Sequence, residues 1–154
     1  MVIKKILLAY NFTRLDQKAV DFAIDAFAHL NDVEITVFNA YTPVPEIETV
    51  DTSITGKLKN SMSYLTQQIA QREKELNAVG QILLQGGFAE NRIKTEFRPR
   101  KRDIASEIID IFRDNSYDVV VLNRKPARVT RFFSGSVSHK VVMSLKDSTV
   151  CIVS

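Results

Sequence analysis

Cysteine is almost absent from this 154-residue chain, and the single Cys151 excludes an intramolecular disulfide and makes the cytoplasm the expected compartment. Histidine is nearly as scarce. His29 and His139 have no cysteine or second histidine at ligand spacing, so a structural zinc site is not expected. Glycine and proline number five and four, which excludes collagen-like and low-complexity classes. No Gly-rich dinucleotide fingerprint occurs, and Gly56-Lys57 lacks the upstream glycine and the following Ser/Thr of a phosphate-binding P-loop. A serine nucleophile would want a Gly-x-Ser-x-Gly elbow; Ser136 follows Gly135, but position 138 is serine. Long apolar runs are missing as well. Val119–Leu122 is far short of the roughly 20 residues that span a bilayer, so no membrane association is expected. The stretch Met1–Tyr10 has no small-residue cleavage site and does not read as a signal peptide.

What is present is an ordinary globular composition, 45% hydrophobic and 25% charged, in a length that suits one domain over 1–154. The net charge of +3 is uneven. Residues 1–50 hold four basic against seven acidic side chains, whereas 51–100 and 101–154 carry the excess of Lys and Arg. Two basic clusters stand out, Arg98–Arg102 and the acid-free stretch from Arg124 to Arg131. Either can meet phosphates or nucleic acid, or can be a solvated loop.

Strand and helix signals alternate from end to end. Ile3–Ala9, Val33–Ala40, Ile93–Phe97, Asp118–Leu122 and Thr149–Val153 read as five short strands rich in aliphatic and β-branched residues. Between the first two, Leu15, Ala19, Phe22, Ala23, Ala26, Phe27 and Leu30 share one helical face until Asn31-Asp32. Tyr41–Thr55 is a connector. A long helix then keeps a three-four spacing through Leu58, Met62, Leu65, Ile69, Leu76, Val79 and Leu83, interrupted by Arg72, and ends at Gly86-Gly87. Asp103 is a candidate N-cap for Ile104–Phe112. A last helix follows Ser136, with Val137, Val141, Val142 and Leu145 inward.

This alternation predicts an α/β fold with an open, parallel five-stranded sheet and helices on both faces, Rossmann-like in kind. Ligands of such folds sit beyond the carboxyl ends of the strands, at the point where strand order reverses. The segments of interest are therefore Tyr10–Thr13, Asn39–Tyr41 and Asn123 onward. The Ser134–Ser138 segment offers a second rationale. Its glycine, hydroxyls and helix start can cradle an anion, and Arg124, Lys125, Arg128 and Arg131 add countercharge. Equally, Ser136 can simply cap the helix. Cys151 lies inside the last strand, where a free thiol acts as a small hydrophobe.

The order of elements, with Lys5–Thr13, Asp118–Val121, Phe133–Ser138 and Ser148–Val153, resembles the universal stress protein family, whose domain is of the UspA type. The resemblance covers essentially residues 2–154 and implies strand order 3-2-1-4-5, a homodimer formed through the last strand, Thr149 to Val153, and a cytoplasmic role in stress tolerance. It carries Gly135, Ser136, Val137 and Ser138 over as nucleotide contacts. Tyr10, Asn11 and Ala40 are rim positions by geometry alone.

The family's ATP-binding pattern, G-x2-G-x9-G-[ST], is degenerate here. Its first two glycines fall on Leu122 and Lys125, Pro126 stiffens the loop, and Asn11 stands where an acid is usual. Two readings follow. In one, the chain is a stress protein that does not bind ATP and keeps the helix-opening segment for capping. In the other, Lys125, Arg124 and Arg128 replace the missing amides and hold ATP, with Mg, or another nucleotide in an altered pose. Catalysis is not expected, since no general base or metal-binding acid stands beside the proposed phosphates. A nucleic-acid- or protein-interacting module using the basic loops is a third reading; nucleic acid is the weaker partner, because no aromatic residues interleave Arg98–Arg102. The last strand, lying at a sheet edge, has its own motive to pair with a second copy.

Overall fold

The computed structural model describes residues 3–45, 53–124 and 136–154, and only the backbone of 53–55. The chain runs β1 (Lys4–Ala9), α1 (Arg14–Phe27), β2 (Val33–Tyr41), α2 (Ser53–Gln85), a 3-10 turn (Glu90–Arg92), β3 (Ile93–Pro99), α3 (Ile104–Asp114), β4 (Val119–Asn123), α4 (Val137–Ser144) and β5 (Thr149–Val153). All four ladders are parallel and the sheet order is β3-β2-β1-β4-β5, as the resemblance implied. The chain therefore steps outward from β1 to β3, then crosses back to β4, and the order reverses between β1 and β4.

Side-chain alternation along the strands divides the core in two. Ile6, Leu8, Ile35, Val37, Val119 and Val121 point to one face, where α1 contributes Ala19, Val20 and Ala23, and α2 contributes Leu76, Val79 and Leu83. Leu7, Ala9, Phe38, Ala40, Val120 and Leu122 point to the other, against Ile108, Ile111 and Phe112 of α3 and Val141 of α4. Covered on both sides, the central strands need no polar alternation, which is why β4 is an unbroken aliphatic run.

Three helix expectations are corrected by packing. Leu30 lies beyond the end of α1 and is 42% exposed, because Ala28 already closes the helix. Val142 does not face inward; it is 43% exposed, and Val141 alone of that pair enters the core. The long helix begins at Ser53, inside the segment read as a connector. At 33 residues it is about 50 Å long, well beyond the span of any strand here. Its buried seam residues are confined to its last third, while Leu58 and Leu65 remain exposed.

The end of α2 shows why two glycines stand there. Gly87 has φ +116°, a conformation that favours glycine, and Phe88 N–H reaches back to the Leu83 carbonyl at 3.2 Å. At Gly86 the reason is steric. A Cβ there would lie 2.7–2.9 Å from three side-chain atoms of Ile24 in α1. Gly86→Ala is therefore expected to force α1 and α2 apart and cost about 1–3 kcal/mol, read as a lower urea midpoint at unchanged slope.

Candidate functional site

The site is built on the turn that follows β1. Thr13 caps α1, and Asp16, in the first helical turn, folds back beneath the turn and is fully buried. Its Oδ2 accepts the backbone N–H of Asn11 at 3.0 Å, the N–H of Thr13 at 2.7 Å and the Thr13 hydroxyl at 2.9 Å. Its Oδ1 accepts the side-chain amide of Asn123 from the end of β4. One carboxylate thus ties the β1 turn, the first turn of α1 and the tip of β4 together across the point where strand order reverses. A buried carboxylate is tolerable only when so many donors meet it.

Between the two anchored amides sits Phe12, with φ +60°. For a bulky residue that backbone region is an outlier. The Asp16 bonds on either side hold it there. Its ring meets Tyr10 edge-on at 5.2 Å and carries the Arg72 guanidinium of α2 above it, 5.8 Å from the ring centre. On the β2 side, Asn39 is buried and donates its side-chain amide to the Tyr10 carbonyl at 2.8 Å.

These residues border a cavity of about 310 Å3 beyond the strand ends. Asn11, Phe12 and Thr13 form one wall, and Asn39, Ala40, Tyr41 and Thr42 another. Asn123, Ile104 of α3 and Arg72 of α2 complete it, so both faces of the sheet contribute. Asp103 fixes the start of α3 beside the cavity by accepting the Ser106 N–H at 2.8 Å and the Lys140 ammonium at 2.9 Å. The Ser106 amide first, and then Lys140, hold the Asp103 carboxyl well below the usual carboxylate range.

A second cavity, of about 300 Å3, lies at the start of α4 and is lined by Arg124, Ser136, Ser138, His139, Val142 and Ile152. Ser136 caps α4, its hydroxyl accepting the His139 N–H at 3.1 Å. The residues singled out from the sequence are thereby distributed rather than gathered. Asn11 and Ala40 line the strand-end cavity, and Ser136 and Ser138 line the α4 cavity. Val137 packs against the core under α3 and α4. Tyr10 does not border either cavity; its ring packs into the core beneath α1 and α2. Burial, with the carboxylates of Asp16 and Glu75 adding to it, raises its phenol above the ordinary range. Gly135 and Lys125, with Pro126, Arg128 and Arg131, lie outside the described residues.

Sequence reasoning missed Asp16 and Arg72 as site residues. An acid three places after a capping threonine, and a charge on an apolar helical seam, were the available signals. The Arg98–Arg102 cluster turns inward in part. Arg98 lies over the Phe38 ring at 5.4 Å and 4.0 Å from the Glu107 carboxylate, and Arg102 pairs with Asp110. Glu107 also accepts the backbone N–H groups of Lys101 and Arg102 at 2.8 and 3.1 Å. Two of that cluster's three arginines are thus paired within the fold. Burial raises the Cys151 thiol above its ordinary range, in keeping with a packing role.

The universal stress protein family model matches residues 3–152. No curated protein matches the chain significantly. Among solved structures, the universal stress protein UspA from Lactobacillus plantarum is 16% identical, with a TM-score of 0.68 and coverage of 100% of this chain and 99% of that one. A universal stress protein from Archaeoglobus fulgidus in complex with dAMP is 15% identical, TM-score 0.65, covering both chains fully. A universal stress protein in complex with cAMP is 17% identical, TM-score 0.68, with 99% and 98% coverage. At these identities the likeness is one of fold.

The donors gathered on Asp16 set a clear expectation. Asp16→Asn replaces acceptor oxygen with a donor facing other donors and is expected to cost about 3 kcal/mol of unfolding free energy. Asn123→Ala, which leaves the other three donors in place, is expected to cost about 1 kcal/mol, with both values read from urea titrations.

Proposed function

This chain belongs to the universal stress protein family, and we propose that it serves as a non-catalytic, cytoplasmic stress-response protein that does not bind ATP in the family's usual way. The observation that carries this reading is the state of the strand-end cavity. Where the family resemblance leads one to expect an acid, Asn11 stands, and the carboxylate nearby, Asp16, is turned inward and saturated with donors. Among the described residues the wall carries no carboxylate, its polar groups being the amides of Asn11, Asn39 and Asn123, the hydroxyls of Thr13, Tyr41 and Thr42, and Arg72. Its 310 Å3 also lies at the lower end of the roughly 300–1,000 Å3 of drug-sized ligand pockets. Leu122 stands where the family's first glycine is expected and is buried in the core with α3 residues, and Asn123, next to it, lines the cavity. The cavity that remains suits a ligand smaller than ATP.

A second reading has its own observation. Arg124, Ser136, Ser138 and His139 line the α4 cavity, and a cation with hydroxyls at a helix start is a reasonable seat for phosphates. The relatives solved with dAMP and cAMP make a nucleotide the natural ligand to test. Calorimetric titration with Mg-ATP separates the two. No saturable heat up to about 1 mM is expected, with the fold intact by circular dichroism. Submicromolar binding that Ser136→Ala weakens would establish the nucleotide reading instead.

We further propose a homodimer through β5. This strand is the outer one on its side of the sheet, pairing only with β4 among the described strands. Ile152 is 43% exposed beside the exposed Val142 and Met143. An open edge flanked by apolar side chains invites pairing with a second copy. Light scattering at micromolar concentration is expected to give twice the 17.4 kDa chain mass, and Ile152→Lys the mass of one chain.

A further inference from the structure

Among the described residues, Arg72 is the one charged residue in the wall of the strand-end cavity. It falls between Ile69 and Leu76, at a place in the α2 seam that the three-four spacing reserves for an apolar side chain. Four residues later the same seam is fully buried at Leu76. The guanidinium leaves the seam at the level of the strand ends and comes to rest over the Phe12 ring. At 5.8 Å it is within the range of cation–ring attraction.

The ring beneath it is held at a cost. A non-glycine residue in the left-handed region is strained by about 1–3 kcal/mol, and Phe12 remains there because Asp16 captures the N–H groups of its two neighbours. Strain of this kind persists where surrounding bonds over-determine it, and it concentrates at ligand sites. Here it brings an aromatic face to the wall of a cavity with an arginine above it.

We propose that the strand-end cavity binds a small flat-ringed compound bearing one carboxylate or phosphate group, with the ring against Phe12 and the anionic group on Arg72. The planar fork of an arginine matches either anion with two parallel hydrogen bonds, which a lysine would not do. Asn11, Asn39 and Asn123 supply donors and acceptors for ring substituents without adding charge. Asp16 is the opposing charge. It is fully buried behind the turn, with both of its oxygens occupied by donors, so its charge is directed into the protein rather than into the cavity. The volume suits a single ring system with its anionic group.

This inference rests on the reading of the strand-end cavity as a ligand pocket, and the test separates the two. Benzoate, phenyl phosphate and neutral benzamide are titrated into the wild-type protein and into Arg72→Gln. The backbone amides of Asn11–Thr13 and the side-chain amides of Asn39 and Asn123 are followed by nitrogen–proton correlation NMR. Arg72 is exposed on α2, so the variant is expected to fold normally. At least one anion should shift these resonances saturably and bind about tenfold more tightly than benzamide, and Arg72→Gln should remove that advantage while leaving benzamide unchanged. A preference for benzoate or for phenyl phosphate then assigns the anion. Equal binding of all three probes, unaltered by Arg72→Gln, would keep the pocket and overturn the role of Arg72. No shift with any probe would overturn both.

Discussion

The Asp16 carboxylate has four donors and no solvent, and the ligand end of the sheet is arranged around that fact. In a parallel α/β sheet the turn after the first strand and the tip of the fourth diverge where the order reverses, leaving a crevice with no covalent link across it. Asp16 supplies the link electrostatically. It holds the β1 turn from below and Asn123 from the side, and the backbone of Phe12 follows from being strung between two captured amides. With that group removed, the crevice would lose its floor and one of its walls together.

The layers beneath the crevice are simpler, and they position it. Alternation in β1, β2 and β4 sends one set of aliphatic side chains to α1 and α2 and the other to α3 and α4. Because both faces are covered, the open surface at the strand ends collects residues from both. Arg72 arrives from one side and Ile104 from the other. The Gly86–Ile24 contact sets how closely α1 and α2 lie. The Asp103–Lys140 pair joins the start of α3 to α4 beside the site, whereas the Gly86–Ile24 contact lies toward the far ends of α1 and α2.

Membership of the universal stress protein family fits this architecture. On the open side of the β1 turn stands the uncharged Asn11, and on its inner side the buried carboxylate of Asp16 holds the loop. Among the described residues, Arg72 is the charge bordering the cavity. The rest of its described lining is amides, hydroxyls and apolar or aromatic side chains. A second cavity lies at the start of α4, where Ser136 caps the helix.

Periodicity alone carried the five strands, the four helices and the parallel class, because a strand covered on both faces and a helix with one apolar seam leave unmistakable spacing. The segments Tyr10–Thr13, Asn39–Tyr41 and Asn123 were legible as the carboxyl ends of the strands for the same reason, and the strand order came from the family resemblance. Where periodicity is weak, the reading slipped by single residues. Val142 has the right composition for the core, but Val141 occupies the inward position of a helix only eight residues long. The rest of the site was decided in three dimensions. Asp16 is an ordinary first-turn acid in sequence, and only the meeting of Asn11, Thr13 and Asn123 around it makes it the anchor. Arg72 reads as a fault in a seam, and only the crossing of α2 over the strand ends gives it a ring to stand on and a cavity to face. Spacing along a chain specifies which side of its own element a residue occupies; what it meets there is set by residues 60 or 107 positions away, brought close by the packing of the sheet.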